Sequence, residues 1–158
     1  MKEKLKIYID ENFEKPMLFK TCILGDMECA VAKETNINTY INENQNQNKF
    51  QTLLFKYIDE RNLKDSDVYN KVHIDRRLFS KIRSDINYHP SKETIILLGL
   101  SLELNEKEIE FLLDSASYSL PKNNYFDLII RFCFINKIYK INDVNNLLSD
   151  YNCKLFDY

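Results

Sequence analysis

The stretch KDSDVYNKVHIDRRLFSKIRS, residues 64–84, decides the fold. It reads as two short helices joined by a tight turn. Val68, Tyr69 and Val72 fall at i, i+1 and i+4, one apolar stripe on a first helix. Asp65 and Ser66 stand just ahead of it as N-cap candidates. His73 and Ile74 supply the turn. Asp75 is then a natural N-cap for the second helix, because its carboxylate can accept the free amide N–H groups of the first turn. In that helix Leu78, Phe79 and Ile82 point inward, while Arg76, Arg77, Ser80, Lys81 and Ser84 project from the other side.

Such an outward set suits a helix that enters a nucleic-acid groove. Guanidinium groups near the helix start can reach guanine edges or phosphates, and a small hydroxyl lets the backbone come close. Arg76 and Arg77 carry the wrong sign for the positive end of the helix dipole. An anionic partner would give them a reason to be there. An ordinary solvated face is the other reading, and the pattern alone leaves the two open.

Working outward, the rest of the chain is helical in pattern. Phe50, Leu53, Leu54, Tyr57 and Ile58 make a helix ending near Asn62. After the pair, residues 85–90 (DINYHP) form a loop, with Pro90 biasing His89 away from helix. Ser91 caps a helix containing Ile95, Ile96, Leu98, Leu100 and Leu102, apolar nearly all round and so expected in the middle of a bundle. Asn105 with Glu108 resembles a capping box that opens a helix with Ile109, Leu112, Leu113 and Ala116. Residues 125–135 (YFDLIIRFCFI) are too uniformly apolar for period to decide; their length and setting favour helix. Val144, Leu147, Leu148 and Tyr151 mark a last amphipathic helix. Towards the N-terminus, Leu5, Tyr8, Ile9 and Phe13 share a helical face that Pro16 ends. Residues 17–32 are ambiguous between strand and helix, with a turn at Gly25-Asp26, and residues 36–48 (NINTYINENQNQN) read as a linker or loop. The expected division is an N-terminal arm with an Asn-rich linker, 1–48, and a helical domain, 49–158.

Composition agrees with an all-α fold. Hydrophobic residues make up 44% of 158, enough to bury a sizeable core. With 2 glycines and 3 prolines, few turns are expected to need positive φ, which favours helices over a sandwich or barrel. The net charge of −2 counts against generic nucleic-acid binding. Locally, though, six cations face three carboxylates between positions 64 and 83, leaving +3. DNA affinity is then expected to be modest, salt-sensitive and dependent on two copies.

Other chemistry is poorly supplied. Cys22, Cys29, Cys133 and Cys153 lack CxxC spacing, and only His73 and His89 could assist them, so no metal or cofactor is expected. Reduced buried thiols in a cytosolic protein are the expectation. The charged N-terminus is no signal peptide, and no apolar run is long enough to span a bilayer, so no membrane partner is expected. The two glycines, Gly25 and Gly99, are too far apart for a nucleotide loop. Arg83 and His89 have the R-x5-H spacing of HEPN-type ribonucleases, but that spacing arises easily by chance, and Pro90 and the loop setting argue against it. The chain is not expected to be an enzyme.

From Phe50 to Ala116 the helices, and especially DVYNKVHIDRRLFSKIRS followed by HPSKETIILLGLSLELNEKEIEFLL, resemble the lambda-repressor-like, or Xre/Cro-type, helix-turn-helix domain. The resemblance extends through FDLIIRFCFINKIYKINDVNNLL to Leu148, about two-thirds of the chain, and looks like a variant bacterial module. It implies sequence-specific binding of double-stranded DNA as a homodimer and a role in transcription. By position, Arg76, Arg77 and Ser80 would read bases, and Ser66, Lys71, Lys81 and Asn87 would hold phosphates. The chain departs from the family at Ser66-Asp67, where a phosphate-clamping Gln is usual, at Tyr69, usually Ala, and at His73, usually Gly. Such a scaffold can be retained for protein binding after DNA contact is lost. The alternative expectation is therefore an interaction module in a bacterial phage-defence, counter-defence or mobile-element system. In that case the arginines should pair with internal carboxylates such as Asp67 or Asp85.

Overall fold

Every regular element among the described residues of the computed structural model, 1–14 and 49–157, is a helix. The eight are α1 (Lys2–Asn12), α2 (Lys49–Glu60), α3 (Asp65–Lys71), α4 (Arg76–Ser84), α5 (Lys92–Ser101), α6 (Glu106–Ser115), α7 (Tyr125–Ile135) and α8 (Ile141–Asp150). The fold is all-α. Residues 17–32 and 36–48, with Cys22, Cys29 and Pro16, lie outside the described residues.

The bundle is built around α5. Ser91 accepts the Thr94 amide at its start, and Ile95, Ile96, Leu98 and Leu100 are fully buried. Apolar side chains all round a helix leave it no face for water, and α5 accordingly packs between α3 and α6. Gly99 permits the close approach: a Cβ there would stand 2.5 Å from Ile109 Cδ1 and 3.2 Å from Phe134 Cζ. The predicted capping box opens α6, with Asn105 and Glu108 each closing the other's amide. α6 packs in turn on α2 and α7, and α7 on α8.

α1 packs on α7. Its Leu5 and Ile9 belong to the same continuous core as α5, Phe13 stacks on Tyr125 at 4.8 Å, and the Glu14 amide donates to Lys122 O at 3.0 Å. The described part of the N-terminal stretch, 1–14, thus contributes a helix to the core.

Two local expectations are corrected. The N-cap of α3 is Lys64, with no side-chain cap bond, not Asp65 or Ser66, which already lie within the first turn; the Asp65 carboxylate pairs instead with Arg83. Glycine scarcity does not mean few positive-φ turns. Asn62, His73, Glu103, Ser117, Lys137 and Asn152 all have φ between 49° and 59°. Each follows a helix, and each is followed by Leu63, Ile74, Leu104, Tyr118, Ile138 or Cys153, whose amide reaches back to close the last turn. This is a Schellman ending with its apolar residue at C″, made here without glycine.

Candidate nucleic-acid interface

α4 is seated by its apolar side and held at both ends. Phe79 and Ile82 are buried and Leu78 is half-buried. The turn into it is closed by His73 N–H donating to Asn70 O at 3.3 Å and Ile74 N–H to Tyr69 O at 2.9 Å. His73 takes the left-handed conformation with φ 55°, so the turn forms without glycine. Tyr69, which stands where the resembled family usually has Ala, packs against Phe79 with ring centroids 5.6 Å apart. Asp75 Oδ1 accepts the Arg77 amide at 2.6 Å and the Leu78 amide at 3.3 Å, the cap read from sequence.

At the far end Gln51 of α2 donates to Ile82 O at 2.5 Å and Asp85 O at 2.8 Å. It thereby satisfies carbonyls that the helix end leaves open. Arg83 lies over the Phe55 ring at 4.1 Å and pairs with Asp65 Oδ1 at 2.5 Å. Gln51 and Phe55 tie α4 to α2 across about thirty residues of sequence, and no spacing signal could have marked them.

The free side of α4 carries Arg76, Arg77, Ser80, Lys81 and Ser84, all exposed, and these five line one open concavity. Neither Arg76 nor Arg77 has a carboxylate or hydrogen-bond partner for its guanidinium among the described residues. The Lys81 ammonium stands 4.5 Å from the centre of the Tyr88 ring, a contact that orients the cation without neutralising it. Tyr88 was not singled out from sequence. Neither Asp67 nor Asp85 pairs with these arginines: Asp67 accepts from Ser66 Oγ, and Asp85 accepts the Asn87 amide.

The other residues assigned by resemblance are not brought into the concavity. Lys71 donates to Ser101 O at 3.1 Å and Glu103 Oε1 at 2.6 Å, and lines a separate hollow with Arg61 and Leu63. Ser66 is half-buried in the first turn of α3 with its hydroxyl on Asp67 at 3.3 Å. Asn87 is exposed in the loop after α4, its amide on Asp85. Only Arg76, Arg77, Ser80 and Lys81 of the predicted set share one surface.

Arg83 and His89 do not converge. The arginine faces Asp65 and Phe55, whereas His89 Nε2 lies 2.8 Å from Ala116 O and Nδ1 3.4 Å from the Tyr118 hydroxyl. Burial, with a smaller contribution from Asp143, pushes the Cys133 thiol up to about 12, far from a reactive thiolate. Among the described residues no cluster of His, Cys, Asp and Glu has the makings of a metal site, and no helix is long and apolar enough to cross a membrane. Set against known protein families, curated proteins and solved structures, the chain gives no match.

Proposed function

We propose that this is a cytoplasmic, lambda-repressor-like helix-turn-helix protein of Xre type, which binds double-stranded DNA as a homodimer and regulates transcription. α3 and α4 are its helix pair, and α4 is the recognition helix. The observation that carries the reading is the unpaired state of Arg76 and Arg77 at the start of a helix whose opposite side is buried. Leaving two such charges together, against the helix dipole, is explained by a polyanion that docks there. Arg76, Arg77 and Ser80 face base edges, and Lys81 faces a phosphate. The second reading, a protein-interaction module of a bacterial conflict or mobile-element system, is favoured by Lys71. That residue spends its ammonium on Glu103 and the Ser101 carbonyl and so leaves one phosphate clamp fewer.

The test starts with selection of bound sequences from random duplexes, followed by titrations at several salt concentrations. An enriched palindrome is expected. Arg76→Ala with Arg77→Ala should weaken binding by about 2–6 kcal/mol if both read bases, and should flatten the logarithmic salt slope by up to about 2 if they also touch phosphate. No enrichment, with affinity indifferent to the two substitutions, would transfer the assignment to the protein-interaction reading.

A further inference from the structure

An apolar groove of about 430 Å³ runs between α2 and α6. Leu53 and Tyr57 line it from α2, and Phe111 lines it from α6. Phe111 is 65% exposed, and with Leu53 and Tyr57 it makes the apolar surface there contiguous rather than scattered. The charges around the groove are split by helix. Lys56 is on α2 and Asp114 on α6, and both line it. Asp114 has no partner for its carboxylate among the described residues. Lys56 has Glu60 on its own helix at 3.7 Å, with both side chains more than half exposed, a pairing that contributes little.

We infer that this groove is the centre of a two-fold interface with a second copy of the chain. A two-fold axis through the groove lays α2 of one copy over α6 of the other. A surface can cover itself in this way only if it is self-complementary. This one carries a cation on one helix, a carboxylate on the other, an aromatic knob and an apolar hollow. Lys56 then meets the partner's Asp114, Asp114 meets the partner's Lys56, and each Phe111 enters the opposite hollow. The seven residues that line the groove are fewer than the roughly 20–30 a side that a stable interface covers. The groove therefore serves as the central anchor, where interface energy concentrates, with flanking surface of both helices completing the contact. The inference deepens the two-copy part of the proposed function. The residues that carry it are none of those on the cationic face.

Sedimentation of the full chain over a wide concentration range, without DNA, tests it. A reversible dimer is expected. Phe111→Asp should raise the dissociation constant about a hundredfold or more, because an isologous contact is lost twice, while the far-ultraviolet circular dichroism stays helical. Lys56→Glu and Asp114→Lys should each weaken the dimer, and the two together should restore it. A wild-type monomer at every concentration would overturn the interface. So would a dimer indifferent to Phe111→Asp, or a double charge exchange no better than the single ones. A monomer whose melting temperature drops with Phe111→Ala would assign the groove to another part of the same chain, which also overturns it. Arg76→Ala with Arg77→Ala should dimerise like the wild type, so failure of the DNA reading and failure of the interface are told apart.

Discussion

Replacing Lys137 or Ser117 with glycine should stabilise this protein, against the usual direction for glycine in a helical bundle. Both residues are exposed and sit just past a helix in the left-handed region, with φ 56° and 59°. A side chain with a Cβ pays about 1–2 kcal/mol to stay there. Glycine removes that cost and gives back about 0.5–1 kcal/mol through the greater freedom of its unfolded chain. The balance is a gain of about 0.5–1 kcal/mol at each site. The amides that close the turns, Ser117 to Asp114 O at 2.8 Å and Lys137 to Phe134 O at 3.3 Å, are kept. The sites lie after different helices, α6 and α7, so the gains should add to about 1–2 kcal/mol. For a domain of this size that raises the melting temperature by about 2–8 °C. Lys107→Gly, at an exposed helical position in the first turn of α6, is the control and should cost up to about 1 kcal/mol. Denaturant melts of the three variants and the double one decide the matter. If Ser117→Gly and Lys137→Gly lose stability as Lys107→Gly does, these residues do not hold left-handed endings and the account of the turns is wrong.

Gln51→Ala should remove the donors to Ile82 O and Asp85 O at a cost of about 1–2 kcal/mol. Hydrogen exchange should quicken in α4 while α5 stays protected; unchanged protection in α4 would show that Arg83 and Phe55 suffice to seat it. Asp127 is 3% exposed, its Oδ1 lies 2.5 Å from Lys92 Nζ, and its Oδ2 accepts from Asn124 at 2.6 Å. Asp127→Ala should destabilise by about 2–3 kcal/mol, somewhat below a fully buried pair because Lys92 can turn to water; a shift in the urea midpoint worth under about 0.5 kcal/mol would place the pair among ordinary surface contacts. Cys133 is fully buried, and that burial raises its thiol well above the ordinary value, so it offers neither access nor thiolate near pH 8. Iodoacetamide should modify it only after denaturation, as read by peptide mass spectrometry, and native labelling at the rate of a free thiol would show that the core around it opens.

Much of the helix pattern could be read residue by residue because its causes are local. Asp75, Ser91 and Asn105 each cap a helix through amides two or three positions away, and such bonds need no tertiary partner. The all-round apolar character of α5 foretold its central place for a similar reason, since a helix without a polar side has nowhere else to go. The outward set on α4 followed from helical spacing alone, and Arg76, Arg77, Ser80 and Lys81 do share one surface.

Tertiary structure decided whatever depends on a partner far along the chain. Lys71 and Ser66 matched a resemblance by position, yet what Lys71 binds is set by Glu103 and the Ser101 carbonyl about thirty residues away. Whether an arginine is free is a property of its surroundings: Arg83 is taken by Asp65 and Phe55, whereas Arg76 and Arg77 are left to solvent. The six glycine-free turns escaped notice because composition records which residues bear a left-handed φ cheaply. Packing of the apolar residue at C″ decides which residues must bear it.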